Sequence, residues 1–161
     1  CSFDADEPVA EIMQAAHALP EVRFYVTGNM KKAPRTVLDN KPDNVAFTGF
    51  LNNDDYAGLL RSASAVLVLT TNDFTMQRGG SEAITVKRPL ITSDFAVLRR
   101  IFYKGTVHCD NTPEGIVQAI RGVMKEYDRY RREIAELRAE RHVRWEHIHE
   151  DLEARIRTAR R

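Results

Sequence analysis

The chain has 161 residues, of which 43% are hydrophobic and 29% are charged, and its formal net charge is +1. This length and composition predict one soluble domain that buries roughly 70% of its unfolded surface, and they exclude a disordered or fibrous protein. The longest purely apolar run, residues 65–69, is far shorter than the roughly 20 residues of a membrane-spanning helix, so no transmembrane span is predicted.

The two cysteines, Cys1 and Cys109, do not stand at a spacing typical of a metal site. Few and isolated cysteines are typical of a reducing compartment, so we expect a cytoplasmic protein. The chain begins without Met and without a basic and apolar leader, and we therefore expect no signal peptide.

Apolar runs of strand length alternate with segments of helical periodicity over the first 128 residues. Six such runs predict strands, and they are residues 1–3, 22–26, 45–47, 65–70, 89–92 and 106–109. Helix-start signals lie between the strands, at Pro8, Asn53, Gly79 and Thr112. The fold class that follows is α/β, a doubly wound, Rossmann-like parallel sheet of about six strands.

From Tyr130 onward, an apolar stripe with a mean spacing of about 3.6 residues predicts a long C-terminal helix. The stripe contains one charged residue, and its members are Ile134, Leu137, Arg141, Trp145, Ile148, Leu152 and Ile156. No linker precedes the helix, so residues 1–161 are interpreted as a single domain. We expect Trp145 and the stripe to pack onto this domain or onto a partner domain, because such a face is usually buried.

The C-terminal segment also carries the basic excess of the chain. Residues 129–161 hold 10 basic and 7 acidic residues, whereas residues 1–128 hold 14 and 16. An acidic membrane surface stays open as a partner, but the interleaved acids favour a solvated helix face. The histidines at 142, 147 and 149 lack the short spacing of zinc ligands, so we expect no bound metal ion. We also expect no other cofactor and no nucleic-acid partner.

The richest candidate for ligand binding is the loop that follows the fourth predicted strand, residues 70–83. Ligands of open parallel sheets bind beyond the carboxyl ends of strands, and Gly79-Gly80 opens a helix whose free N–H groups attract an anion. The alternative interpretation is that the glycines only make a tight turn and that Glu82 only complements the helix dipole. The glycine motifs of dinucleotide-binding proteins and of P-loop proteins are absent from the sequence.

Two stretches of the sequence carry a resemblance to a known family. Residues 44–51 look like a strand and Gly-Phe turn, and residues 80–94 combine a glutamate, a short helix and a proline-led strand. Together they resemble the C-terminal, donor-binding domain of retaining GT-B glycosyltransferases of family four. The resemblance implies a hexosyltransferase domain that binds a nucleoside-diphosphate sugar. It also implies that an acceptor, whether glycan, lipid or small molecule, binds an N-terminal domain outside these residues, so the isolated chain is expected to be inactive.

The same resemblance implies roles for particular residues. In that family, the second acid of a Glu-x7-Glu pair holds the donor ribose, and Glu82 stands at its position, while Phe74 stands at the first. No residue is assigned a catalytic role. The donor-binding residues implied are Glu82, Gly79, Gly80, Ser81, Arg78, Gln77, Asp73, Gly28, Phe50 and Leu51.

Two alternative functions stay open at this point. A sugar-nucleotide epimerase can share the two-domain architecture. A non-catalytic nucleotide-sugar-binding or scaffolding module is the other, because Phe74 replaces the first acid of the pair. The stretch Phe3-Asp4-Ala5-Asp6-Glu7 is acidic where many family members carry Arg and Lys, so a bound diphosphate is expected to depend on the N–H groups at the helix start and on Arg78.

Overall fold

Short parallel strands alternate with helices in the computed structural model, which describes residues 1–159. The strands are β1 (Phe24–Thr27), β2 (Val45–Gly49), β3 (Val66–Val68), β4 (Leu90–Ser93) and β5 (Thr106–Cys109). The helices are α1 (Val9–His17), α2 (Arg35–Asp39), α3 (Asn53–Ser62), α4 (Arg78–Thr85), α5 (Ala96–Ile101), α6 (Pro113–Lys125) and α7 (Tyr127–Ala159). The predicted α/β class and the long C-terminal helix are confirmed. The short helices α2 and α5 lie where the sequence predicted no helix.

The strands form two hydrogen-bonded parallel sheets. β1 pairs with β2, and β4 lies between β3 and β5. Neighbouring side chains of β4 enter different cores, since Ile91 packs with α1 and α6 whereas Leu90 packs with α4, α5 and α7. Helices therefore cover both faces of the three-stranded sheet, which is the doubly wound arrangement. All four residues of its central strand, β4, are buried.

The prediction of one sheet of about six strands is wrong in its count, because the described residues form five strands in two sheets and residues 1–3 form no strand. Phe3 has a φ of +57°, in the left-handed region rather than the extended one. The Glu7 carboxylate accepts hydrogen bonds from the backbone N–H groups of Ser2 at 3.0 Å and Phe3 at 2.8 Å. A side chain thus satisfies backbone groups that a neighbouring strand would otherwise bind.

α7 is attached to the domain only through its first half. Ile134 and Leu137 are fully buried, and the Arg141 guanidinium lies 5.2 Å from the Phe102 ring centroid. Beyond this point the stripe is exposed, and Trp145 is 63% accessible. The expectation that Trp145 packs onto this domain is therefore wrong, while packing onto a partner domain stays a prediction. Within residues 1–159, no helix has the length and apolar character needed to cross a membrane.

A buried polar network joins the carboxyl ends of β3, β4 and β5. The Thr70 N–H donates to Ser93 Oγ at 2.9 Å, and Ser93 Oγ donates to Asn111 Oδ1 at 2.7 Å. Asn111 Nδ2 donates to the Thr70 carbonyl at 2.8 Å, and Thr70 Oγ1 donates to Asp6 Oδ2 at 2.9 Å. The network fixes the start of the loop between β3 and α4, because both polar groups of the Thr70 backbone are bound.

Ser93→Ala should lower the free energy of unfolding by about 1–3 kcal/mol, because it leaves the buried Thr70 N–H and the Asn111 Oδ1 atom without a partner. Urea denaturation measures the change. The control is Ser62→Ala, which removes an exposed hydroxyl bonded to the Leu59 carbonyl and should cost less than about 0.5 kcal/mol. Equal effects of the two substitutions would show that the network contributes no more to the free energy of unfolding than an exposed hydroxyl does.

Candidate functional site

The start of α4 forms an uncapped helix end at the carboxyl edge of the sheet. Gln77 is the N-cap residue, and its side chain makes no capping hydrogen bond. The Gly80 N–H reaches the Gln77 carbonyl at 3.3 Å, so helix geometry leaves the N–H groups of Arg78 and Gly79 for a ligand or solvent. Ser81 adds a side-chain hydroxyl in the first turn of the same helix.

Gly79 and Gly80 allow α4 to lie directly against the sheet. A Cβ on Gly79 would lie 2.9 Å from Val68 Cγ2, and one on Gly80 would lie 2.5 Å from Phe102 Cζ. Neither glycine has a positive φ, since the positive-φ glycines of residues 1–159 are Gly28, Gly49 and Gly105. The tight-turn interpretation of this pair is therefore wrong, and close packing is what requires glycine here.

Glu82 lies one turn into α4 and is held by two side chains. Its Oε2 accepts from the Tyr56 hydroxyl at 2.6 Å, and its Oε1 lies 2.7 Å from Arg78 Nε. Only 20% of the Glu82 side chain is accessible, against 90% of the Arg78 side chain. Glu82 is the fifth residue of α4 and lies past its first turn, where the effect of the helix dipole has fallen off. The dipole is therefore not the main partner of this carboxylate.

Tyr56 is the member of this group that the sequence did not single out. Burial, and next the hydrogen bond to Glu82, raise the pKa of Tyr56 far above its usual range, so its hydroxyl stays a donor at neutral pH. The residue belongs to α3, and 26 positions separate it from Glu82. The only sequence signal was its place on the inward face of an amphipathic helix, which indicates burial and names no partner.

The loop before α4 presents exposed side chains to solvent. Asp73 is exposed, and Phe74 is 91% accessible. The Asn72 side chain accepts from the Phe74 N–H at 3.0 Å, which fixes this turn. Gln77 is half-buried, and neither Asp73 nor Gln77 makes a side-chain hydrogen bond within the described part of the chain. Gln77 directly precedes α4 and Asp73 lies earlier in the same loop, so both side chains are available to a ligand at the helix start.

Gly28, Phe50 and Leu51 follow β1 and β2 and so lie at the same edge of the fold. Gly28 has a φ of +140°, and a Cβ there would overlap the Cys1 carbonyl oxygen. The Gly28 N–H donates to the Gly49 carbonyl at 3.1 Å. Phe50 is 82% accessible. Among residues 1–159, no hydrogen bond or ion pair joins these three residues to Glu82, so the structure brings together only the group at α4.

The acidic residues near the start of the chain already have partners. Asp6 binds Thr70, Glu7 binds Ser2 and Phe3, and the Asp4 carboxylate lies 3.8 Å from Lys32 Nζ. Their charges are therefore directed into the fold or paired at the surface. Across the described residues, no three His, Cys, Asp or Glu side chains cluster closely enough to hold a metal ion.

Comparison with known proteins gives three findings. The family model described as "Glycosyl transferase-like" matches residues 8–157. A GDP-mannose-dependent alpha-(1-6)-phosphatidylinositol dimannoside mannosyltransferase of Mycobacterium tuberculosis (strain ATCC 25177 / H37Ra) is 33% identical over 140 residues, or 84% of this chain and 36% of that protein. The protein of the same name from strain CDC 1551 / Oshkosh matches equally. The chain therefore spans about a third of the length of these curated relatives (36%).

The third finding concerns a solved structure. AviGT4, a glycosyltransferase involved in Avilamycin A biosynthesis, is similar over 89% of this chain and 47% of its own, with a TM-score of 0.58 and 20% identity. At this level of identity the likeness concerns the fold, and it agrees with the parallel α/β arrangement described above.

Gly80→Ala should lower the free energy of unfolding by about 1–3 kcal/mol, because the new methyl group meets a buried ring that has no room to move. Phe102 is only 1% accessible. Gly122→Ala is the matched control, because a Cβ in that helical position meets nothing within 4 Å. It should stabilise the fold by about 0.5–1 kcal/mol. Chemical denaturation of both variants checks the opposite signs, and stabilisation by Gly80→Ala would contradict the packing argument.

Proposed function

Because the chain belongs to the glycosyl transferase-like family, we propose that it is the donor-binding domain of a glycosyltransferase and holds a nucleoside-diphosphate sugar at α4. The family match over residues 8–157 agrees with the resemblance to GT-B glycosyltransferases of family four. The diphosphate lies at the N-terminus of α4, and Glu82 accepts hydrogen bonds from the donor ribose.

One observation carries this proposal: the uncapped start of α4 and the Glu82 carboxylate lie one helical turn apart at the carboxyl edge of a parallel sheet. An uncapped helix end supplies N–H donors and a positive partial charge, which suit a phosphate. A partly buried carboxylate accepts hydrogen bonds from hydroxyl groups. The two features together match the two chemically different parts of a nucleoside diphosphate.

Charge balance at the site is met without a metal ion in this proposal. Arg78 is 90% exposed and lies in the first turn of α4, so its guanidinium can turn toward a phosphate. The N–H groups of Arg78 and Gly79 and the Ser81 hydroxyl add uncharged donors, and Gln77 and Asp73 border the same end. The remaining members of the donor set, Gly28, Phe50 and Leu51, follow strands at this edge and would face the base.

The likeness to a mannosyltransferase suggests the donor. That relative is GDP-mannose-dependent by name, so we infer a hexosyl donor and take GDP-mannose as the first candidate. The acceptor, a glycan, lipid or small molecule, would bind a further domain, because the chain spans only 36% of that relative. Both cysteines are free thiols, which supports a cytoplasmic location, beside the membrane where the acceptor is a lipid.

A second function is favoured by Phe74. The resemblance implies an acid at this position, yet the side chain is an aromatic ring that is 91% accessible. A domain that binds nucleotide sugars without transferring them is consistent with that replacement. Sugar transfer by the full-length protein distinguishes the two functions, because the binding module would bind donor and yield no glycosylated product.

Glu82→Ala should weaken the binding of GDP by about one to two orders of magnitude, because a hydrogen bond to a charged group contributes about 1.5–3 kcal/mol. Isothermal titration calorimetry measures the dissociation constant, and thermal unfolding checks that the fold survives. Glu114→Ala is the matched control, since Glu114 lies in the first turn of another helix, α6. Unchanged GDP affinity in Glu82→Ala would discard the ribose role.

The purified 161-residue chain should transfer no sugar, because one side of the cleft that holds the acceptor would be missing. Incubation with GDP-mannose and candidate acceptors, followed by mass spectrometry of the products, tests this. Binding of GDP by the same sample serves as the control for a folded site. Detectable glycosylation of any acceptor would show that the chain is a complete enzyme.

A further inference from the structure

The two carboxylate oxygens of Glu82 have partners of different kinds. Oε2 binds the neutral hydroxyl of Tyr56 at 2.6 Å, and Oε1 binds the cationic Nε of Arg78 at 2.7 Å. A ribose hydroxyl that donates to this carboxylate meets one of these partners first. Which partner stays in place decides how the carboxylate is presented to the ligand.

The hydrogen bond from Tyr56 to Glu82 is more firmly fixed by the fold than the ion pair between Arg78 and Glu82. Tyr56 lies in the first turn of α3, where its own N–H donates to the Asn52 carbonyl at 2.9 Å. The Asn52 side chain caps the same turn through the Asp55 N–H, also at 2.9 Å. The Tyr56 side chain is half-buried, and a short hydroxyl-to-carboxylate bond is a strong one. α3 therefore presents this hydroxyl from a fixed position.

The hold of Arg78 is weak by comparison. Its side chain is 90% accessible, and exposed ion pairs contribute little to stability because water screens them. Its cation also lies in the first turn of α4, beside the positive end of the helix dipole. The pair runs in the less favourable order, with the cation N-terminal to the acid by four residues. An anion at the helix end thus competes well for this guanidinium.

We propose that Tyr56 is the positioning residue of this site: it holds Oε2 of Glu82, so that Oε1 is presented to the ligand when Arg78 turns to the diphosphate. The inference rests on the proposed function, which it deepens. Without the Tyr56 hydroxyl the carboxylate rotates about its last torsion, which is broad in energy, and Oε1 is no longer directed. Tyr56 touches no ligand itself and acts through Glu82.

The test compares two ligands that differ only in the ribose hydroxyls, GDP and 2′,3′-dideoxy-GDP. The wild type should prefer GDP by about tenfold or more, and Tyr56→Phe should reduce this preference to about threefold or less. The affinity for the dideoxy ligand should change less than about twofold, because that ligand makes no contact with Glu82. The double variant Tyr56→Phe/Glu82→Ala should bind GDP no more weakly than Glu82→Ala alone.

The matched control is Tyr103→Phe. Tyr103 donates to Glu140 Oε2 at 2.6 Å, so this substitution removes the same kind of bond elsewhere, between the loop after α5 and α7. It should keep the wild-type preference for GDP.

The outcomes separate this inference from the proposed function. A wild type that prefers GDP while Tyr56→Phe keeps that preference overturns the role of Tyr56 alone. An equal loss for both ligands in Tyr56→Phe, together with a lower melting temperature, makes Tyr56 a packing residue and also overturns the inference. When the UDP and ADP pairs are included, a wild type that binds no nucleoside diphosphate, or shows no ribose preference, overturns the proposed function and this inference with it.

Discussion

The close approach of α4 to the sheet is the constraint on which the candidate site depends. Gly79 and Gly80 leave no atoms between the helix and the side chains of Val68 and Phe102, so the helix axis lies nearer the sheet than larger residues would allow. This depth sets where the second turn of α4 meets α3. The Tyr56 hydroxyl then lies within hydrogen-bond reach of Glu82. Packing, rather than ligand approach alone, accounts for the glycine pair.

The polar network at the carboxyl ends of β3, β4 and β5 fixes the start of the loop whose other end is α4. Ser93 is fully buried, and its hydroxyl joins the Thr70 N–H to the Asn111 amide. Buried polar groups of this kind are costly when unpaired, so the loop leaves β3 in one direction. The segment before α1 is joined to this network as well, because Asp6 accepts a hydrogen bond from Thr70 Oγ1. The part of the loop from Asp73 to Gln77 is thus fixed at both ends, by the polar network and by the packed helix α4.

The apolar face of α7 is buried in the first half of the helix and exposed in the second. Its first half buries Ile134 and Leu137 against the domain, whereas its second half exposes Trp145, Ile148, Leu152 and Ile156. The apolar spacing is the same in both halves. An exposed stripe of this length suits contact with another folded unit.

Local patterns in the sequence determined the α/β class, the starts of α1, α3, α4 and α6, and the loop that leads into the candidate site, because periodicity and capping depend on near neighbours. The tertiary structure alone decided that residues 1–3 form no strand, that Trp145 is exposed, and that Tyr56 is the partner of Glu82. A periodic pattern reports which face of a helix is apolar. The partner of a side chain 26 positions away depends instead on the depth at which two helices pack on a sheet. That depth was set here by two glycines whose missing Cβ atoms no periodicity records.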